Sequence, residues 1–242
     1  MSQPVLFGRR HKKVAHDSSL GGRLNWLRAG VLGANDGLVS TAGVVVGVAG
    51  ATSTLATSLT AGIAALVAGS LSMAGGEYVS VSTQRDTERA AIDLERWELA
   101  NLPKDEEEEL ATIYRDRGLS EPLDRQVAKE LMAGDALRAH AEAELQINPD
   151  ELTNPWHAAA ASFIAFEVGG LIPIAGIIIP IDNLRIMICV AAVVVGLVIT
   201  RYVNARLGSA SPRAAVTRNV AVGILTMAIT WGVGTFTGGV VG

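Results

Sequence analysis

The chain has 242 residues, 49% of them apolar, with 26 glycines, 18% charged residues and a net charge of −4. About a quarter of an ordinary soluble domain is charged, so this chain is short of charge, and its slight, clustered acidity excludes a nucleic-acid partner. A lone cysteine, Cys189, inside an apolar run leaves no disulfide framework and no cysteine-based metal site.

Residues 1–26 are polar and basic, with Arg9, Arg10, Lys12, Lys13 and Arg23. They lack the apolar core and cleavage site of a signal peptide, so the first apolar segment is expected to stay in the mature protein. Anionic-lipid binding and a free tail are both open readings for this stretch, with its His11 and His16. About 20 apolar residues cross a bilayer. Residues 27–50 and 55–81 predict the first two spans, and 155–181, 186–202 and 216–241 the third to fifth. Between them, 82–154 form a hydrophilic insert. Loop charge orients the chain. The turn at 51–54 is uncharged, whereas Arg85, Arg89 and Arg96 follow the second span and Arg201, Arg206, Arg213 and Arg218 connect the fourth to the fifth. N-terminus, insert and fourth–fifth loop are thus expected in the cytoplasm, and the C-terminus outside. The fold class expected is all-α, with five transmembrane helices and a three-helix cytoplasmic insert.

The second span is expected to run on to Asn101 and stop at Pro103, which cannot continue a helix. A second insert helix follows over 103–117, ended by Gly118. Ser120 caps a third, which continues to about Ile147. Asn154 and Pro155 suit the start of the third span.

Asp36 lies within an otherwise apolar span. An ionisable residue there costs roughly 2.5–3.5 kcal/mol and normally faces a partner or a pathway. Gly30, Gly33, Gly37, Gly43, Gly47 and Gly50 would let other helices approach closely. In the second span Gly69, Met73 and Glu77 recur at intervals of four and share a face. A lone methionine there is usually filler. Beside a buried aspartate, its thioether favours a transition metal over Mg²⁺ or Ca²⁺. Two ligands are too few, and a twofold dimer axis would double them. Glu77 and Glu167 are candidates for proton coupling or gating. Glu167 is equally suited to being held by polar ends of a broken helix at "EVGGLIPIAG".

In the insert, Glu95 and Glu98 share one helix face, as do Glu106 and Glu109 within "KDEEEEL". Neighbours at that spacing can share a cation. Glu107 and Glu108 read as solvated surface. His140 and Glu144, four apart, form another same-face pair. Carboxylates with one imidazole suit Fe²⁺ or Mn²⁺. The Glu-x-x-His pattern of di-iron bundles is missing, which argues against a ferroxidase.

"GANDGLVSTAG" and "GSLSMAGGEYVS" resemble the first- and second-span motifs of the vacuolar iron transporter family, and "AEAELQI" and "GGLIP" resemble two further segments. The resemblance covers about residues 20–241. It implies a five-span homodimer exchanging Fe²⁺, and often Mn²⁺, for protons, with Asp36 and Met73 at the membrane metal site. It places the cytoplasmic ligands on Glu95, Glu98, Glu106, Glu109 and Glu144. The plant pattern has two methionines where this chain has His140 and Ala141, and a membrane glutamate where it has Ala65. No prosthetic group is expected. The partners implied are a second copy, divalent metal ions and the bilayer: a bacterial inner membrane, or a vacuolar one in a eukaryotic source. The rival reading is a membrane-anchored metal buffer or sensor.

Overall fold

The computed structural model describes residues 20–179, 184–207 and 212–241. The basic segment before residue 20, with His11 and His16, and the turn residue Asp182 lie outside the described residues. Among the described residues every regular element is helical: α1 Leu20–Ala51, α2 Leu55–Asn101, α3 Pro103–Asp116, α4 Glu121–Ala133, α5 Ala136–His140, a π-helical turn Ala141–Leu145, α6 Pro155–Ile178, α7 Arg185–Leu207 and α8 Pro212–Val241. Five of them (α1, α2, α6, α7 and α8) are long and apolar enough to cross a membrane. With 47 residues, α2 is roughly 70 Å long, far beyond a bilayer core of roughly 30 Å. Its apolar part ends at Val81, and the rest is polar. The chain is a multi-pass integral membrane protein.

Two compact units emerge, Leu24–Arg89 with Thr153–Gly242, and Ala90–Leu152. The polar unit is therefore shorter than the 82–154 insert expected. Residues 82–89 and 153–154 belong with the spans, because the Glu88 carboxylate accepts bonds from both the Thr153 amide and its hydroxyl at 3.1 Å.

In the membrane unit α1 contributes Leu38, Ala42, Val45 and Val46 to a core completed by Leu66, Phe166, Ile174, Val193, Leu197 and Met227. Glycines bring main chains together at two crossings. A Cβ on Gly37 would lie 2.2 Å from the Phe166 carbonyl oxygen of α6, and one on Gly169 2.2 Å from that of Ala34. At the other end of α1, a Cβ on Gly234 of α8 would sit 1.8 Å from the Gly47 carbonyl oxygen. Of the six first-span glycines, Gly33, Gly37, Gly47 and Gly50 make such approaches, while Gly30 and Gly43 have room. Helix α6 runs unbroken through Pro173, so the expected break at "EVGGLIPIAG" does not occur. Asn154 caps it, accepting from the Trp156 and His157 amides at 3.0 and 3.4 Å.

The polar unit packs Leu110, Ala111, Ala128 and Ala143 into a small core. Gly118, at φ 102°, turns the chain after α3. The single third helix expected over 120–147 is instead α4, α5 and the π-helical turn. Gly134 ends α4, and the Asp135 side chain caps α5 by accepting from the Arg138 amide at 3.0 Å. Ser120 stands at the N-cap of α4, but its hydroxyl makes no capping bond. Asp124, fully buried, is instead paired with Arg115 at 2.7 Å.

Candidate metal centre

His140 is the last residue of α5 and is fully buried. Its Nδ1 lies 3.0 Å from Glu95 Oε1, 3.5 Å from Glu106 Oε2 and 3.9 Å from Glu144 Oε2. The carboxylates come from the tail of α2, the first turn of α3 and the π-helical turn. Although 3.0 Å is hydrogen-bond length, neither His140 Nδ1 nor Glu95 Oε1 makes a bond of acceptable direction, and His140 Nε2 also has no hydrogen-bond partner. Unpaired polar atoms at such depth are costly. The π-helical turn forms where Glu144 joins: it ends at Gln146, whose φ of 56° is left-handed, with the Ile147 amide bonded back to the Ala141 carbonyl at 2.9 Å. Such turns recur at functional sites.

The electrostatics are those of a site short of positive charge. Burial, then the negative charges of Glu144, Glu106, Glu98 and Glu109, pushes the Glu95 carboxyl up to about 7. Glu106 is raised by burial and then by Glu109 and Glu98, and Glu144 by burial and then by Glu109. Burial lowers His140, against the pull of the Glu109 and Glu98 carboxylates, and so favours the neutral imidazole that ligates metal. Ligand atoms of Glu95, His140 and Glu144 lie within 4.8 Å of one another. A first-row divalent ion about 2.0–2.2 Å from each ligand bridges separations of that order. Oxygen donors with one imidazole nitrogen and no thiolate fit Fe²⁺ or Mn²⁺.

Glu98 is half-buried and Glu109 exposed, both close enough to act electrostatically on the cluster. Glu108 turns away, with its carboxylate 3.4 Å from Arg125 and 3.5 Å from Arg115, while Glu107 is half-buried.

In the membrane unit Asp36 is exposed, on a stripe of α1 with Leu32, Ser40 and Val44 that none of the described residues covers. Met73 is half-buried against the apolar core. The Ser70 hydroxyl donates to Glu167 Oε1 at 2.7 Å, so a side chain of α2 holds this carboxylate. Glu77 Oε1 is buried without a hydrogen-bond partner.

The family profile described as "VIT family" matches residues 27–235. A vacuolar iron transporter of Acanthamoeba castellanii is 42% identical over 232 residues, covering 96% of this chain and 84% of that protein. A vacuolar iron transporter homolog of Oryza sativa subsp. japonica is 37% identical over 221 residues, 90% of this chain and 84% of its own. Vacuolar iron transporter homolog 2.1 of Arabidopsis thaliana is 35% identical over 218 residues, 89% and 83% respectively.

This chain belongs to the VIT family.

Within this VIT-family chain, the structure brings Glu95, Glu106, His140 and Glu144 together, with Glu98 and Glu109 at the margin. Asp36 and Met73 are separate features, one on an uncovered stripe and one against the core. Nothing in "AEAEL" points to a π-helical turn, because it is built mostly of good α-helix formers. It also hid Ser70 as the partner of Glu167, although serine in an apolar span is the kind of residue that bonds across helices.

Proposed function

We propose that the protein moves Fe²⁺, and Mn²⁺ as a second cargo, out of the cytoplasm in exchange for protons. The observation that carries this reading is the buried cluster at His140, where ligand-type atoms converge with no compensating cation among the described residues and with Glu95 Oε1 and both His140 nitrogens left without a well-directed hydrogen bond. It is supported by the relatives named as iron transporters. In this reading the insert, facing the cytoplasm, takes up the hydrated ion on Glu95, Glu106, His140 and Glu144, with Glu98 and Glu109 drawing it in. Ligation needs deprotonated carboxylates, so capture releases protons.

A second copy completes the membrane site. A carboxylate on a lipid-facing stripe is too costly to leave uncovered, and a twofold axis along that stripe would bring together Asp36 and Met73 from both copies. Protonation from the far side then releases the ion, with Glu77 and the Ser70-held Glu167 as coupling groups.

The test is metal uptake into proteoliposomes under a pH gradient, with Fe²⁺ and Mn²⁺ in competition. The expected result is proton-coupled uptake that Asp36→Ala abolishes while insert binding persists. Binding with no transport in the intact protein would favour the anchored buffer or sensor instead.

A further inference from the structure

A cavity of about 290 Å³ opens in the membrane unit where the apolar part of α2 gives way to its polar part. One continuous face of α2 lines it with Tyr78, Ser82, Arg85, Asp86 and Arg89, and Trp156 at the start of α6 closes the other side. These α2 positions follow the three- and four-residue steps that place side chains on one helix face. The lining therefore grades from aromatic to hydroxyl to guanidinium over three turns. Tyr78 and Trp156 meet in a tilted contact, with 4.7 Å between ring centroids and 55° between ring planes, and Trp156 remains 70% exposed, so its ring is available to an occupant. Aromatic rings with one apolar and one polar end belong at the headgroup level of a bilayer.

Neither Arg85 nor Arg89 makes an ion pair or a hydrogen bond among the described residues. Other arginines of the chain do: Arg96 with Asp93, Arg115 with Asp124, Arg125 with Glu108 and Glu121. Two planar guanidinium forks one turn apart suit a phosphate, which accepts several charge-assisted bonds at once. The N-terminus of the 24-residue α6 adds partial positive charge on the same side. Asp86, in the same lining, is unsuited to phosphate but suited to a hydroxyl donor beyond it.

We propose that this cavity is a binding site for an anionic glycerophospholipid with a hydroxylated headgroup, its phosphate held by Arg85 and Arg89, its hydroxyl by Asp86 and its glycerol region against Tyr78 and Trp156. The occupant is a lipid rather than free phosphate because the aromatic side of the cavity has nothing to offer a fully hydrated ion. Binding here ties the end of the second span to the start of the third, beside the Glu88–Thr153 bonds. This site is independent of the metal cargo.

Native mass spectrometry of the detergent-purified protein tests this with phosphatidylglycerol, phosphatidylcholine and inorganic phosphate as separate additions. The wild type is expected to retain phosphatidylglycerol over phosphatidylcholine, undisturbed by excess inorganic phosphate. Arg85→Gln with Arg89→Gln should weaken that retention about tenfold or more, as loss of charge-assisted bonds implies. Arg96→Gln should leave it unchanged. With phosphatidic acid as a further addition, the wild type should favour phosphatidylglycerol over it and Asp86→Asn should not. Retention by the double variant equal to wild type overturns the site, and displacement of the lipid by inorganic phosphate assigns it to the free ion instead. A second readout needs no arginine variant. With Trp26, Trp97 and Trp231 changed to Phe, brominated phosphatidylglycerol should quench Trp156 more than brominated phosphatidylcholine does. Equal quenching by the two lipids also overturns the proposal.

Discussion

In the membrane unit, α1 meets α6 and α8 main chain to main chain, and the residues that make this possible are glycines with no side chain to place. In the polar unit the decisive contacts are between side chains, several of which repel one another: buried Glu95 and Glu106 crowd one neutral imidazole. The first arrangement is complete as it stands, since adding an atom harms it. The second is incomplete, since adding a cation relieves it. Close main-chain packing at the α1 crossings and an unrelieved charge cluster in the polar unit should therefore answer differently to substitution.

The sharpest break of this contrast is Gly37→Leu. Its Cβ alone would sit 2.2 Å from a main-chain carbonyl oxygen, which cannot swing aside as a side chain can. The cost should exceed the ~1–3 kcal/mol of ordinary overpacking, leaving little folded protein by size-exclusion chromatography in detergent. A monodisperse variant of wild-type thermal stability would undo the account of the α1–α6 crossing.

His140→Ala should have the opposite signature. The fold survives, because an unsatisfied group leaves the core, while Mn²⁺ affinity measured by calorimetry falls by about a hundredfold or more, since the partners behind a ligand are alone worth up to that. Wild-type affinity would show that the ion binds elsewhere.

The dependence on pH follows from the raised carboxyls. Glu95 sits at about 7 in the fold, above its ordinary value of 4.5, so the folded state holds the extra proton between those limits. Metal-free stability should therefore be greatest below that window and decline as pH rises towards 7. Glu106 and Glu144, also raised, act in the same direction, and the lowered His140 opposes them. Metal binding runs the other way: below pH 7 affinity should drop about tenfold per pH unit for each proton displaced. Thermal melts with and without Mn²⁺ across pH 5–8 read both slopes, and parallel slopes would contradict the cluster's role.

Smallest of all is Glu108→Gln, which removes a surface carboxylate paired with Arg125 and Arg115. A change within about 0.5 kcal/mol and unaltered metal affinity are expected, in contrast to Glu106→Gln two residues earlier. A large loss of affinity would place the whole glutamate run in the site.

The spans were legible because a bilayer demands long apolar runs, and the helix stops at Pro103 and Gly118 because those residues act locally. The metal candidates were legible through helical spacing, which put Glu95 with Glu98 and Glu106 with Glu109. Spacing did not reveal depth: it ranked the members of each pair equally, whereas the structure buries Glu95 and Glu106 and leaves Glu98 and Glu109 towards solvent. That choice depends on how α3 lies against the tail of α2, a tertiary matter. The break at Gly134 and Asp135 escaped because a long run of good helix formers on either side outweighs one glycine in any local reading.

The π-helical turn at Ala141–Leu145 makes the polar unit sensitive to chain length as well as to chemistry. Such a turn accommodates one residue more than an α-helix would over the same rise. Deleting Ala143 would let the segment relax into regular α-helix and cut the His140–Glu144 spacing from four residues to three, so the pair keeps its face and only the approach of Glu144 changes, by roughly a few tens of degrees. A single-codon deletion, with every ligand still encoded, would thus retune the centre without unpicking it.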